Sequence, residues 1–309
     1  MIQHGPIGLF GKIPAQGDFF RLHVGDPAAQ ALVSWLQDAI EPVYRARLPL
    51  PAVPVRFLFR APGVGSALIG VLGASVDRVG RIFPLCAFVP VQVGAVARSF
   101  PVLPAAYRDF TDAAAALVAD AATIDGAALG ARAGSLPLPA PGAMAAAEEA
   151  ARRDAATEPL PAMLGRLFGD LPAGAAGYAL GTFDAAARPV RGREPARATL
   201  ALDCPAERDL DLWTWLELAR RTLSWAAPPP FFWSPGTPGR IVISLGGPAP
   251  GLLAHLCDPA RPGSRVWPLR TLQPAAIETA RKGLAPALQR ALDAPDGSVE
   301  TFVAAATAR

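Results

Sequence analysis

Residues 67–89 read ALIGVLGASVDRVGRIFPLCAFV. Two apolar runs, 67–72 and 82–89, enclose the polar insert Ser75-Val76-Asp77-Arg78-Val79-Gly80-Arg81. Just before them VRFLFR (55–60) alternates and is rich in strand formers, and Pro62-Gly63-Val64-Gly65 is turn chemistry. Three short strands with tight connections predict an antiparallel meander. The Asp/Arg insert then becomes a loop at one end of a sheet.

Working outward, residues 7–13 read as a strand ending at Pro14, followed by a turn at Gln16-Gly17-Asp18. A helix is expected from Pro27 to about Arg47. Asp26 suits its N-cap, Pro27 its first position, and Leu32, Trp35, Leu36 and Ile40 form its apolar stripe. Glu41-Pro42 would shorten or kink it. With an Ala-rich helix over 104–121, a first block (1–125) reads β-α-β-β-β-α.

Residues 126–176 are dominated by Ala, Pro and Gly and read as a mobile or loosely packed helical connector, with a helix over 142–156. A second α/β block (177–309) is expected to pack on the first as one unit. In it, 178–183, 197–203 and 239–245 read as strands, 209–225, 249–257 and 274–293 as helices, and 294–309 as a frayed end. Asp209 and Asp211 suit the start of the helix over 209–225, and Arg220 and Arg221 its end. The fold class is therefore α/β (α+β), a mixed, mainly antiparallel sheet with flanking helices. Its element order is compatible with a longin-like or profilin-like sheet. Whether the two blocks share one sheet stays open.

Half of the 309 residues are hydrophobic and 18% are charged, which fits a globular chain with a real core. A net charge of +3 without a basic run does not favour nucleic acid. The N-terminus lacks a signal-peptide pattern, and the most apolar stretch, 82–97, is interrupted by Pro84, Pro90 and Gln92, so no membrane insertion is expected. Cys86, Cys204 and Cys257 are far apart and read as buried, reduced thiols in a cytoplasmic protein.

Enzyme motifs fail. Gly8-Leu9-Phe10-Gly11-Lys12 has too few residues between its glycines for a phosphate loop, and Ile13 stands where Ser or Thr would hold magnesium. His4, His23 and His255 are isolated, so neither a metal nor a cofactor is expected. Glu148-Glu149 read as a solvated helix face, and Arg188, Arg191 and Arg193 as a solvated loop or an anion or partner site. The insert keeps two readings. Asp77 and Arg81 present an electrostatic surface to a partner or an anion, or Asp77 accepts backbone N–H groups in a loop that satisfies itself.

GLFGKIPAQGDFF (8–20), WLQDAI (35–40), RFLFRAPGVGSALIGVLGASVDRVGRIFPLCAF (56–88) and FFWSPGTPGRIVISLGGPAPGLLAHL (231–256) resemble the type VI secretion system-associated TagF family, also called ImpM. The resemblance covers roughly residues 7–257. It departs at Ala74, where a proline is common, and at Ser34-Trp35, where a Trp-Asp pair is usual. It implies a cytoplasmic, non-enzymatic accessory protein that represses type VI secretion after translation by binding the forkhead-associated scaffold protein of the apparatus. Some relatives carry a metal-dependent phosphatase. Its acidic motif is not matched here, since Asp125-Gly126 continues as Ala-Ala-Leu and Asp296-Gly297 as Ser-Val-Glu.

The surface candidates are Lys12, Asp18, Asp77, Arg78 and Arg81. A rival reading gathers Lys12/Asp18 and Asp77/Arg81 around one cleft of a nucleotide- or anion-binding protein or enzyme. A third makes the chain a structural subunit of the machine, with a large exposed apolar patch.

Overall fold

The two apolar runs flanking the insert are neighbouring strands in the computed structural model, which describes residues 2–307 except 237, 262, 264 and 295. In chain order the strands are β1 (Gly8–Gly11), β2 (Phe20–Leu22), β3 (Val55–Phe59), β4 (Ser66–Gly73), β5 (Leu85–Gln92), β6 (Leu200–Pro205), β7 (Phe231–Ser234), β8 (Arg240–Leu245) and β9 (Val266–Pro268). They form one sheet in the order β2-β1-β5-β4-β3-β7-β8-β6-β9. Among the described residues every strand pairing is antiparallel except β6 with β9.

The meander is β3-β4-β5, with Ile69 opposite Val89 and Leu58 opposite Ile69. Its strands are apolar along their length because both sheet faces are covered. Ile69, Val71, Leu85, Ala87 and Val89 face one core, and Leu68, Leu72, Cys86 and Phe88 the other.

Among the described residues thirteen α-helices cover the sheet in layers. One face carries α1 (Pro27–Ala46). The other receives α2 (Val93–Val96), α3 (Leu103–Ala106), α4 (Arg108–Asp120), α5 (Gly126–Gly134), α6 (Ala143–Thr157), α7 (Leu160–Phe168), α8 (Ala175–Ala187) and α9 (Asp209–Leu223). Then α10 (Gly251–Cys257) lies beside α1, and α11 (Pro274–Lys282), α12 (Pro286–Asp293) and α13 (Val299–Thr307) finish the chain.

The Asp26 side chain caps α1 by accepting from Ala28 N at 2.7 Å, and it also accepts from Ser66 Oγ at 2.7 Å. The helix passes through Pro42 and ends when Arg47 turns left-handed at φ 53°. Burial of Ile40 and Val43 on either side of the proline holds this last part on the sheet.

The two blocks share one sheet through β3 and β7, where Phe57 faces Phe232. Trp35 of α1 reinforces the junction by donating to the Ala249 carbonyl at 3.1 Å. The buried Arg60 does so too, donating to the Pro228 carbonyl at 2.9 Å and to Glu194.

Several expectations are corrected. Phe20–Leu22 adds β2, so the first block begins β-β-α rather than β-α. Residues 178–183 lie in α8, not in a strand. An added Cβ at Gly177 or Gly181 would stand 3.0 and 3.4 Å from Leu284, so these glycines serve close approach in a helix rather than a break in a strand. The Ala-rich stretch is packed, not loose: Leu129, Ala133, Ala155, Leu160, Met163 and Leu167 belong to the core. The helix expected over 274–293 is split around Gly283 into α11 and α12. Instead of fraying, the chain end forms α13 with Val299, Phe302 and Val303 buried, while residues 295, 308 and 309 lie outside the described set.

Candidate functional site

The insert and the turn after β1 meet at one end of the sheet. Gly11 makes the meeting possible: its φ is 150°, and a Cβ there would stand 2.2 Å from the Pro84 carbonyl oxygen. Lys12 follows directly and is buried. Its ammonium donates to Asp77 Oδ2 at 2.7 Å and lies 5.5 Å from the centre of the Phe19 ring.

Asp77 is the hub. Its side chain is 0% exposed. Oδ1 accepts from Val79 N at 3.0 Å and Arg81 N at 2.9 Å, and Oδ2 from Lys12 Nζ and, at 2.6 Å, from Arg81 Nε. Four donors satisfy a carboxylate, which offers about four lone-pair sites. Burial alone would raise the acid's pKa. The hydrogen bonds from Lys12, Arg81 and Val79 outweigh it and hold the group well below the usual carboxylate range.

The main chain completes the clasp. Asp77 N donates to the Arg81 carbonyl at 3.1 Å, and Gly80 N to the Asp77 carbonyl at 2.9 Å, with Gly80 at φ 84°. Arg78 N donates to the Gln16 carbonyl at 3.0 Å, Arg81 Nη2 to the Gly17 carbonyl at 2.7 Å, and Ser75 Oγ to the Lys12 carbonyl at 2.7 Å. Loop and turn are thus tied to each other at several points.

The five candidates separate into two groups. Lys12 and Asp77 are spent on each other inside the clasp. Arg78 and Asp18 are exposed, and Arg81 keeps a side chain that is 60% exposed. Asp18 takes no part in the ion pair; its Oδ1 accepts from the next residue's N–H at 2.7 Å. Lys12 and the Asp77/Arg81 segment do converge, as the rival cleft reading requires. The convergence neutralises Lys12 instead of leaving it for an anion.

Two further residues belong to this surface. Val79 is 68% exposed at the tip of the insert. Tyr44, on the outer side of α1, donates its hydroxyl to the Ile82 carbonyl. An apolar residue inside a charged loop is a signal the sequence carried for Val79. Nothing in the sequence pointed from Tyr44 to a loop 38 residues away.

Elsewhere, His4 bonds the Tyr107 hydroxyl at 2.8 Å, His23 the Ile7 carbonyl at 2.8 Å, and His255 the Asp203 carboxylate at 2.9 Å. Cys86 and Cys204 are buried, and Cys257 is half-buried. Burial pushes the Cys257 thiol up to about 12. Among the described residues no group of three or more His, Cys, Asp or Glu is arranged to hold a metal ion, and no helix is long and apolar enough to cross a membrane.

Comparison with known proteins finds a match over the part of the chain that holds this clasp. Residues 8–133 match the model of the TagF N-terminal domain, type VI secretion system-associated. A solved structure, PA0076 from Pseudomonas aeruginosa PAO1, is 24% identical over 43% of this chain and 64% of that one, with a TM-score of 0.37. The chain thus spans less than two thirds of that protein. No curated protein matches it. The clasp lies inside the matched span, so residues 8–133 are similar to a TagF N-terminal domain, type VI secretion system-associated.

Proposed function

We propose that this is a non-enzymatic, cytoplasmic accessory protein that represses type VI secretion after translation. It acts by binding the forkhead-associated scaffold component of the apparatus and withholding it from assembly. The observation that carries the reading is the form of the insert. A buried, saturated Asp77 fixes the loop, while Arg78, Val79 and Arg81 stand outside it. A rigid tip with one apolar side chain between two cations loses little conformational entropy on docking. Arg is also a frequent anchor in protein interfaces.

The division of labour changes which variant tests the idea. Asp77→Ala would disturb the loop itself. Arg78→Ala/Val79→Ser alters only the tip. Tagged wild type and this tip variant, both shown to be folded by circular dichroism, are used for pull-down from host lysate. The scaffold should co-purify with wild type and be lost with the tip variant. Retention by both moves the interface elsewhere, and capture of no secretion component by wild type overturns sequestration.

The reading as a structural subunit has less support. Of the large exposed apolar side chains among the described residues, Tyr44 and Val79 lie beside the insert, and Val53, Leu138, Trp267 and Leu272 come from other parts of the chain.

A further inference from the structure

A cleft of about 240 Å³ lies where residues 98–102 meet α6, α9 and α13, with Trp213 in its lining. It joins the matched TagF span to the part of the chain outside it. Four guanidiniums line it, Arg98, Arg152, Arg220 and Arg221, against three carboxylates, Glu148, Glu217 and Glu300.

Glu217 sets the arrangement. Its side chain is 7% exposed, and such an acid needs partners to stay charged. Arg220 grips it with both Nε and Nη2 at 2.6 Å, and Arg221 Nε bonds it at 2.6 Å. Burial alone would raise the Glu217 pKa; the two guanidiniums outweigh that and leave it lowered.

One carboxylate for two guanidiniums leaves a positive charge over. Both Arg side chains are 37% exposed, and among the described residues Arg220 Nη1 and both Nη atoms of Arg221 have no acceptor. Arg98 is exposed and, among the described residues, has neither a hydrogen bond nor an ion pair. Arg152 is held by Glu148 at 2.6 Å. Guanidinium forks fixed by a buried acid, with N–H donors left over, are prepared to receive a tetrahedral oxyanion.

We propose that this cleft binds the phosphate group of a small phosphate monoester, with Arg98 and Arg221 as its main donors and Glu217 as a positioning residue. The cleft has room for the phosphate and a modest appended group. The exposed Glu300 opposes binding, because it adds negative charge to the lining.

Calorimetric titration of the full chain at fixed ionic strength tests the proposal, with orthophosphate, a phosphoserine peptide and AMP as probes and acetate as the control. At least one phosphate probe should bind saturably and acetate should not. The phosphoserine peptide or AMP should bind more tightly than orthophosphate, and the tighter of the two tells a phosphorylated side chain from a nucleotide; orthophosphate binding tightest overturns the monoester assignment. Arg98→Ala should keep the wild-type melting temperature and weaken binding about tenfold or more. Glu300→Gln should strengthen it. Absence of saturable binding by all three probes overturns the proposal. So does binding that Arg98→Ala leaves unchanged, or a Glu300→Gln variant that binds more weakly.

Discussion

Asp77 and Glu217 are both buried acids, each held by two cations, yet they do opposite work. Asp77 is bonded to Lys12, which lies 65 residues away, and to Arg81 within its own loop. Two backbone N–H groups take its other oxygen. Nothing of its capacity is left over, and what it holds together is tertiary structure. Glu217 is bonded to Arg220 and Arg221, three and four residues along the same helix. It joins nothing distant; it aims charge into a cleft. What separates the two buried acids is the distant partner Lys12, which Asp77 has and Glu217 lacks among the described residues.

The most severe way to break this comparison is at Asp77. Asp77→Ala strands the buried Lys12 ammonium and several N–H donors at once, and an uncompensated buried charge is among the costliest single changes. The melting temperature should fall by about 10 °C. Lys12→Met should cost less, because Asp77 keeps three of its four donors. Thermal melts of the two variants side by side check the order; a larger loss at Lys12 would mean that the ammonium, not the carboxylate, organises the loop.

Titration sharpens the same point. The folded Asp77 pKa is depressed, so its contribution to stability is complete above the unfolded value of about 3.9. It is lost as pH falls from there toward the folded value. The stability gap between wild type and Asp77→Asn should therefore be full at neutral pH and begin to close only below about pH 4. Denaturant melts at stepped pH read it directly. A gap that closes near neutrality would place the dependence on another group.

Glu217 should give a smaller effect. Glu217→Gln leaves two guanidiniums that already reach solvent, so the expected loss is about 1 kcal/mol. Denaturant unfolding measures it. A loss as large as that of Asp77→Ala would mean that Glu217 holds tertiary structure after all.

The same contrast shows what a sequence can reveal. The bond from Asp77 to Arg81 spans four residues and was readable; the bond to Lys12 spans 65 and was not. The meander, the Asp26 cap and the helix read over 209–225, observed as Asp209–Leu223, were readable because alternation, capping and end charges are local. Strand β2 has three residues and exists through its pairing with β1, so no periodicity could announce it. Strand β7 escaped in the same way, although its pairing with β3 joins the two blocks. In α8, Tyr178 to Phe183 resembles a strand until Leu284 is seen against its glycines. Alanine misled in the stretch after α4, because a small side chain was read as weak packing where it permits close packing.

The smallest expected effect is at the exposed tip, and it separates function from stability. Arg78→Ala and Val79→Ser remove side chains that stand outside the clasp, so each should change stability by no more than about 0.5 kcal/mol. Arg81 differs from them, since its Nε and main-chain N–H hold Asp77 while most of its side chain is exposed. Arg81→Lys keeps the charge at the surface but cannot reproduce a guanidinium bonded to Asp77 and Gly17 together. It should therefore lower stability more than either tip change while weakening scaffold capture less than Arg78→Ala/Val79→Ser does. Melts and quantitative pull-downs on these four variants resolve the two axes. If stability and capture fall in parallel across them, the tip has no docking role of its own, and the insert is a clasp alone.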